Sequence, residues 1–382
     1  MRTTLVFALA IALAGCQPLP IMPAVQEAEP PSPSAPAGQA PVPTAPAAPG
    51  PDEDAPAPRP AEPVGSGGSG VEGLAPPSVA VAIESHPAGT WQPGPSLHRP
   101  RAGLVSGLAN GRLLALEGDG RASMEVLEDG VWRYDGSHDL ARVPAPATGS
   151  PGLYLGAGAV DGEKVFIVGG TRGGAPSAGI NSYDETGLRI SVSPIFPVGV
   201  EAPAAGAFGT VLVMAGGGAR PADAVSPRAV GDVVRFDTAS GQMGAMAAMP
   251  QAVMAAASVV LGGRLYVFGG YDPDGAAVDA VQVLDYATGT WQLAAPLPLA
   301  LGGAAAAVLD GKVYMAGGRD AAGALSPALH RYDPVADAWE ALPGLPTPRA
   351  LLALSAYEGR LWAIGGVDAT LQPTTAVEVF RP

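Results

Sequence analysis

A pair of adjacent glycines returns five times in the last two-thirds of the chain: Gly169-Gly170, Gly216-Gly217, Gly269-Gly270, Gly317-Gly318 and Gly365-Gly366, at steps of 47, 53, 48 and 48 residues. A period of that length restricts the chain to a repeat architecture, in which each unit buries its apolar surface against its neighbours. Each doublet closes a short apolar run: Val165 to Val168, Val211 to Met214, Leu265 to Phe268, Val313 to Ala316 and Leu361 to Ile364. Runs of four apolar residues bounded by turn residues read as strands buried on both faces. Asp310-Gly311 and Glu358-Gly359 precede two of them and fit tight hairpins.

Beyond each doublet, after 13 to 19 residues, an aromatic residue or leucine appears, usually followed by Asp: Tyr183-Asp184, Phe236-Asp237, Leu284-Asp285, Tyr332-Asp333 and, without the Asp, Phe380. Seven residues later a large apolar side chain returns as Ile190, Met243, Trp291 and Trp339. This order of Gly-Gly, Tyr-Asp and Trp over about 50 residues resembles the kelch repeat, which implies a four-stranded blade of a β-propeller. The physical reading agrees. Glycine at a strand end admits positive φ and close approach of another backbone, and the aromatics fill the wedge between blades.

Leu113-Leu114-Ala115-Leu116-Glu117-Gly118 reads as a decayed first unit, with Glu117 in place of the first glycine and Trp132 as its later aromatic. At the other end the chain stops at Phe380 after a third strand, and Gly89-Thr90-Trp91-Gln92 repeats the tetrad Gly289-Thr290-Trp291-Gln292. The first strand is therefore expected to complete the last blade. The fold class expected is all-β: a six-bladed kelch-type β-propeller with N-to-C strand closure, spanning residues 84–382. The alanine runs Ala255-Ala256-Ala257 and Gly302 to Val308 favour helix by intrinsic propensity. They fall where the innermost strand of a blade sits, so the repeat is expected to override them.

Residues 1–15 carry Arg2, an apolar run from Leu5 to Ala14 and small residues before Cys16, the only cysteine. They form a secretory signal, too short to span a bilayer. Leu13-Ala14-Gly15-Cys16 resembles the bacterial lipobox, which implies lipidation of Cys16 and a membrane partner engaged through it. Gln17 follows where Asp implies inner-membrane retention, so the expected address is the bacterial cell envelope as an outer-membrane lipoprotein. Residues 17–77 hold 18 prolines among 61 residues and show no apolar period, a composition that cannot form a core. Within this linker (16–77) the stretch up to Val64 is expected to reach on the order of 100 Å or more in polyproline II geometry, and Gly65 to Gly70 add a flexible joint.

The net charge is −14, and Lys164 and Lys312 are the only lysines, so no basic stripe exists for nucleic acid. A lone cysteine and four scattered histidines (His86, His98, His138, His330) supply no metal-ligand spacing, and no nucleotide-binding fingerprint is present. No metal, cofactor or catalytic residue is expected. In kelch propellers one face carries the loops from strand two to three and from strand four to the next blade's strand one, where Arg101 and Arg349 enter strand one, and resemblance makes that face the binding surface. The candidate ligand-binding residues are Arg101, Arg172, Arg220, Asp272, Arg319, Asp320, Arg349 and Asp368, since arginine captures carboxylates through a bidentate fork. The expected function is a protein- or glycan-binding module. The competing class is a carbohydrate-active enzyme resembling a sialic-acid mutarotase, for which Glu201 stands isolated in the sequence.

Overall fold

The computed structural model describes residues 89–119, 123–134, 153–172, 175–186, 189–192, 198–220 and 226–382. The signal segment 1–15, Cys16, the linker 16–77, residues 84–88, Arg121, His86, His138 and Asp223 lie outside the described residues. Among the described residues every regular element is a β-strand, and every pairing is antiparallel. Neither alanine run forms a helix: Ala257–Leu261 and Ala305–Leu309 are strands.

Six four-stranded sheets occur among the described residues. The first comprises Val105–Ala109, Arg112–Leu116, Met124–Glu128 and Val131–Tyr134; the second Ala157–Val160, Val165–Val168, Ile180–Tyr183 and Arg189–Val192. The third comprises Ala204–Phe208, Val211–Ala215, Val233–Asp237 and Met243–Ala245; the fourth Ala257–Leu261, Arg264–Phe268, Val281–Asp285 and Thr290–Ala294. The fifth is Ala305–Leu309, Lys312–Ala316, Leu329–Asp333 and Ala338–Leu342. In the sixth, Ala353–Tyr357, Arg360–Ile364 and Val377–Arg381 are joined by Thr90–Pro93, which pairs Trp91 with Phe380 and Gln92 with Val379. Trp91 also packs on the Phe380 ring at 5.1 Å between centroids.

Second strands are buried on both faces because a sheet covers each side, which explains their unbroken apolar runs. In five of the six sheets the hairpin before the second strand is a two-residue turn: in the sixth, Tyr357 pairs with Arg360 across Glu358 and Gly359, whose φ values are +51° and +67°. Two positive φ angles define the primed turn that matches strand twist, and Asn-Gly suits it best. Glu358 is exposed and held in the left-handed region at a cost. Glu358→Asn is expected to stabilise the fold by about 0.5–1 kcal/mol in chemical denaturation, since Asn tolerates that conformation better.

The first strands neighbour one another in chain order, and the strand starting at Ala353 also neighbours the one starting at Val105. Two residues before each of these strands stands a residue in the left-handed region: Gly103, Leu155, Ala202, Ala255, Gly303 and Leu351, with φ between +48° and +65°. Their backbones form a closed hydrogen-bonded circuit. Leu155 N–H donates to Gly103 O (2.9 Å), Ala202 to Leu155 (2.7 Å), Ala255 to Ala202 (2.8 Å), Gly303 to Ala255 (2.8 Å), Leu351 to Gly303 (2.7 Å) and Gly103 to Leu351 (2.8 Å). Left-handed φ turns each peptide toward the next sheet rather than along its own strand. The circuit uses backbone alone, so Gly, Leu and Ala all serve.

The doublets act one step further out. The N–H of the second glycine donates to the carbonyl two residues before the next circuit member: Gly170 to Val200 (2.8 Å), Gly217 to Val253 (2.9 Å), Gly270 to Leu301 (2.8 Å), Gly318 to Arg349 (2.9 Å) and Gly366 to Arg101 (2.8 Å). The first glycine lies against that same carbonyl. In the first sheet Glu117 takes that place at φ +54°, and its carboxylate accepts a hydrogen bond from the hydroxyl of Tyr183 in the second sheet. A side-chain clasp thus links these two sheets.

Candidate functional site

The loops that follow the doublets and the residues that precede the circuit gather at one end of the first strands, and the candidate residues divide there into three groups. Arg101 and Arg349 are fully buried rather than part of an open loop face, which corrects the grouping made from sequence. Arg349 donates to the carbonyls of Gly365 (2.8 Å) and Ala376 (2.9 Å) and to the Glu378 carboxylate (2.9 Å). Arg101 repeats the arrangement, donating to Glu117 O (2.5 Å), Ser123 Oγ (2.9 Å) and Glu125 Oε1 (3.0 Å). Burial holds the Arg349 guanidinium below its ordinary pKa, and Glu378 opposes that shift. At Pro100-Arg101 and Pro348-Arg349 the arginine is an internal clamp that fastens a strand entry to the third strand of its own sheet.

Asp272, Asp320 and Asp368 form the second group. Asp272 Oδ1 accepts N–H bonds from Asp274 and Ala276, and Asp320 Oδ1 from Ala322 and Ala324, all at 2.9 Å. Asp368 does the same with Thr370 (2.8 Å) and Gln372 (3.3 Å); the Thr370 hydroxyl first, then its N–H, hold the carboxyl below its ordinary range. These carboxylates shape their own turns, as Asp does in Asx turns. In each, Oδ1 orders the loop that carries it.

Arg220, Arg319 and Arg172 make up the third group. Arg172 lies in the short strand Thr171–Arg172, paired with Leu153 and Ala175. Arg220 is exposed, with its guanidinium 4.0 Å from Glu201, whose carboxylate also accepts the Thr171 hydroxyl at 2.7 Å. Glu201 is buried and immediately precedes the circuit residue Ala202, so it is joined to Thr171 and Arg220 rather than isolated. Arg319 is half-buried beside Tyr271. Burial raises the Tyr271 pKa and Asp320 adds to the rise, while the charge of Arg319 lowers it. The Tyr271 ring lies flat against Gly302, where an added Cβ would come within 2.3 Å of the ring.

A cavity of about 160 Å³ is lined by the six circuit residues and by the small and apolar residues just after them, with Ser106 and Ser258 as its hydroxyls. Its volume is below the range of about 300 to 1,000 Å³ usual for ligand pockets. Among the described residues no cluster of three metal-ligating side chains occurs. Sequence reasoning missed the polar column Glu125, Asn181, Gln282, His330 and Glu378, which occupies one register position in the third strands. Its spacing follows the repeat, and that spacing was the available signal. His330 sits partly buried with its ring edge against Trp339, and burial lowers its pKa.

Residues 202–381 match the family model described as the KLHDC2/KLHL20/DRC7 Kelch-repeats domain. The fold is that of a kelch-type β-propeller. Among solved structures, one titled "Structure of YjhT" aligns with a TM-score of 0.62 at 16% identity, covering 74% of this chain and 95% of that one. No curated protein matches the chain.

Proposed function

We propose that the six sheets are six kelch blades, closed by the pairing of Thr90–Pro93 with Val377–Arg381, and that the propeller is a binding module of the bacterial cell envelope. Lipidation at Cys16 anchors it to the outer membrane, and the proline-rich segment 16–77 carries it away from the lipid. Its partner is a protein or a glycan held at the loop end by Arg319 with Tyr271 and by Arg220. The observation that carries this reading is the division of the loop end: its Asp residues are tied into turns, its buried arginines are clamps, and Arg220 and half-buried Arg319 flank a channel too small for a substrate.

A second reading has one observation in its favour. The Thr171–Glu201–Arg220 group joins an acid, a hydroxyl and a guanidinium at the mouth, an arrangement that suits proton transfer on a sugar. Cells expressing the wild-type chain, Cys16→Ser, or Arg220→Ala with Arg319→Ala separate the two readings when their membranes are fractionated, crosslinked and assayed for anomer interconversion of acidic sugars. The binding module predicts release by Cys16→Ser, loss of the crosslinked partner in the arginine variant, and no interconversion. Interconversion abolished by Glu201→Gln establishes the enzyme instead, and membrane retention of Cys16→Ser refutes the anchor.

A further inference from the structure

Three seams between neighbouring sheets are built to one plan, and one of them is left incomplete. At each, a fourth-strand tryptophan donates its indole N–H to a carbonyl of the preceding sheet: Trp291 to Ala247 (2.9 Å), Trp339 to Ala295 (3.0 Å) and Trp91 to Pro343 (2.7 Å). The three accepting residues are 48 apart. Two residues before each tryptophan stands a left-handed residue: Gly289, Asp337 and Gly89, at φ +69°, +50° and +77°.

The seam between the fifth and fourth sheets is complete. Asp337 reaches across it, and its Oδ1 accepts the N–H of Ala295 at 2.8 Å and the hydroxyl of Tyr332 at 2.6 Å. At the seam between the sixth and fifth sheets, Gly89 brings no carboxylate and Pro343 has no N–H to satisfy, so donor and acceptor are absent together. The seam between the fourth and third sheets differs from both. Gly289 brings no carboxylate, yet Ala247 keeps its N–H, and no acceptor among the described residues takes it.

A second donor faces the same gap. Arg235 pairs across its strand with Gly244, whereas Arg331, at the equivalent place in the fifth sheet, pairs with Glu340 and donates to its carboxylate. Among the described residues no carboxylate lies within salt-bridge distance of Arg235. Arg235, Ala247, Tyr286, Thr288 and Gly289 line an open groove of about 470 Å³, and the Tyr286 ring that walls it is stacked on Phe208 at 4.3 Å. The neighbouring Asp285 carboxylate is turned to Thr288 and Arg264.

We infer that this rim groove between the third and fourth sheets is a carboxylate-binding notch, whose occupant is an Asp or Glu side chain on a turn of a partner protein. The Ala247 N–H and the Arg235 guanidinium are its two donors, a charge-assisted set of the kind that holds carboxylates. Asp337 supplies the template: a carboxylate delivered from a chain turn onto the equivalent N–H. The turn that carries the acid would rest on Tyr286, which favours a protein segment over a free carboxylate. This site lies on the rim, apart from the loop end proposed above, and does not rest on that reading.

A dansyl-labelled peptide copying residues 333–338 (Asp-Pro-Val-Ala-Asp-Ala) serves as the probe against the full-length chain, read by anisotropy and by hydrogen exchange at the Ala247 amide. The expected result is slowed exchange at Ala247, with binding weakened about tenfold or more when the second Asp of the peptide becomes Asn. Arg235→Ala is expected to weaken it by a similar factor. Gly289→Asp closes the notch from within, since a Cβ there meets nothing within 4 Å, and is expected to abolish binding with the β-sheet circular dichroism retained. Equal binding of the Asn peptide, or unchanged binding by Gly289→Asp, overturns the notch. Protection of Ala247 by acetate as strong as by the peptide overturns the protein segment as occupant.

Discussion

Glu378→Ala is expected to cost about 3–5 kcal/mol of folding free energy, because it leaves the Arg349 guanidinium buried without its counter-charge. Arg349 has no exposed surface through which water could replace the carboxylate. One terminal nitrogen is already given to Gly365 O and Ala376 O, and Nε is buried with no hydrogen-bond partner among the described residues. The clamp sits in the sheet that Thr90–Pro93 completes, so the loss falls on a seam joining residues distant in sequence. Glu378→Gln keeps a hydrogen-bond acceptor and is expected to cost less than Glu378→Ala. The double change Arg349→Met with Glu378→Leu removes both charges and is expected to fall below the alanine single by about 1–3 kcal/mol, since two carbonyls still lose their donor. Urea unfolding of the three variants reads this order. A double variant less stable than Glu378→Ala means that Arg349 acts through its carbonyl contacts and that the charge pair contributes little.

The repeat was legible because its signals are backbone signals that glycine satisfies best, at five of the six doublet positions. Gly269 and Gly270 announce themselves, since no other residue stands easily at φ +59° and +100° against a neighbouring carbonyl. Trp91 was legible by its copy around Trp291, and both make the same indole bond across a seam. The circuit at the channel end was not legible: Gly103, Leu155, Ala202, Ala255, Gly303 and Leu351 share a backbone task and no side-chain chemistry. Each lies 14 residues before the first member of its doublet position, so only the period marks them.

The candidate site failed in the sequence for the opposite reason. Charged residues in loops look alike whether they face a ligand or hold the loop. Asp272 and Arg319 are both polar residues just past a doublet, yet one carboxylate closes its own turn while the guanidinium stands beside the preceding sheet's tyrosine. Arg101 and Arg349 looked equivalent to Arg220, and burial alone separates them. Glu201 looked isolated because Thr171 and Arg220 reach it from positions 30 residues before it and 19 after, through contacts across sheets.

Gly269→Ala is expected to be among the most damaging methyl additions at the described glycines, with a loss of about 3 kcal/mol or more. Two penalties combine there. An L-residue at φ +59° costs about 1–2 kcal/mol, and a Cβ would lie 2.4 Å from the carbonyl oxygen of Leu301, with Leu297 Cδ1 at 3.0 Å. The blocking atom is backbone, fixed by the N–H of Gly270 that donates to it at 2.8 Å, so it cannot yield as a side-chain end would. Gly263→Ala separates the two penalties. Its φ is +74°, but nothing lies within 4 Å of an added Cβ, so only the conformational cost of about 1–2 kcal/mol applies. The difference between the two variants in chemical denaturation measures how tightly one sheet is drawn onto the next. Equal losses for Gly263→Ala and Gly269→Ala mean that the doublets are turn residues only; a larger loss at Gly269 makes them the contacts that set the spacing of the ring.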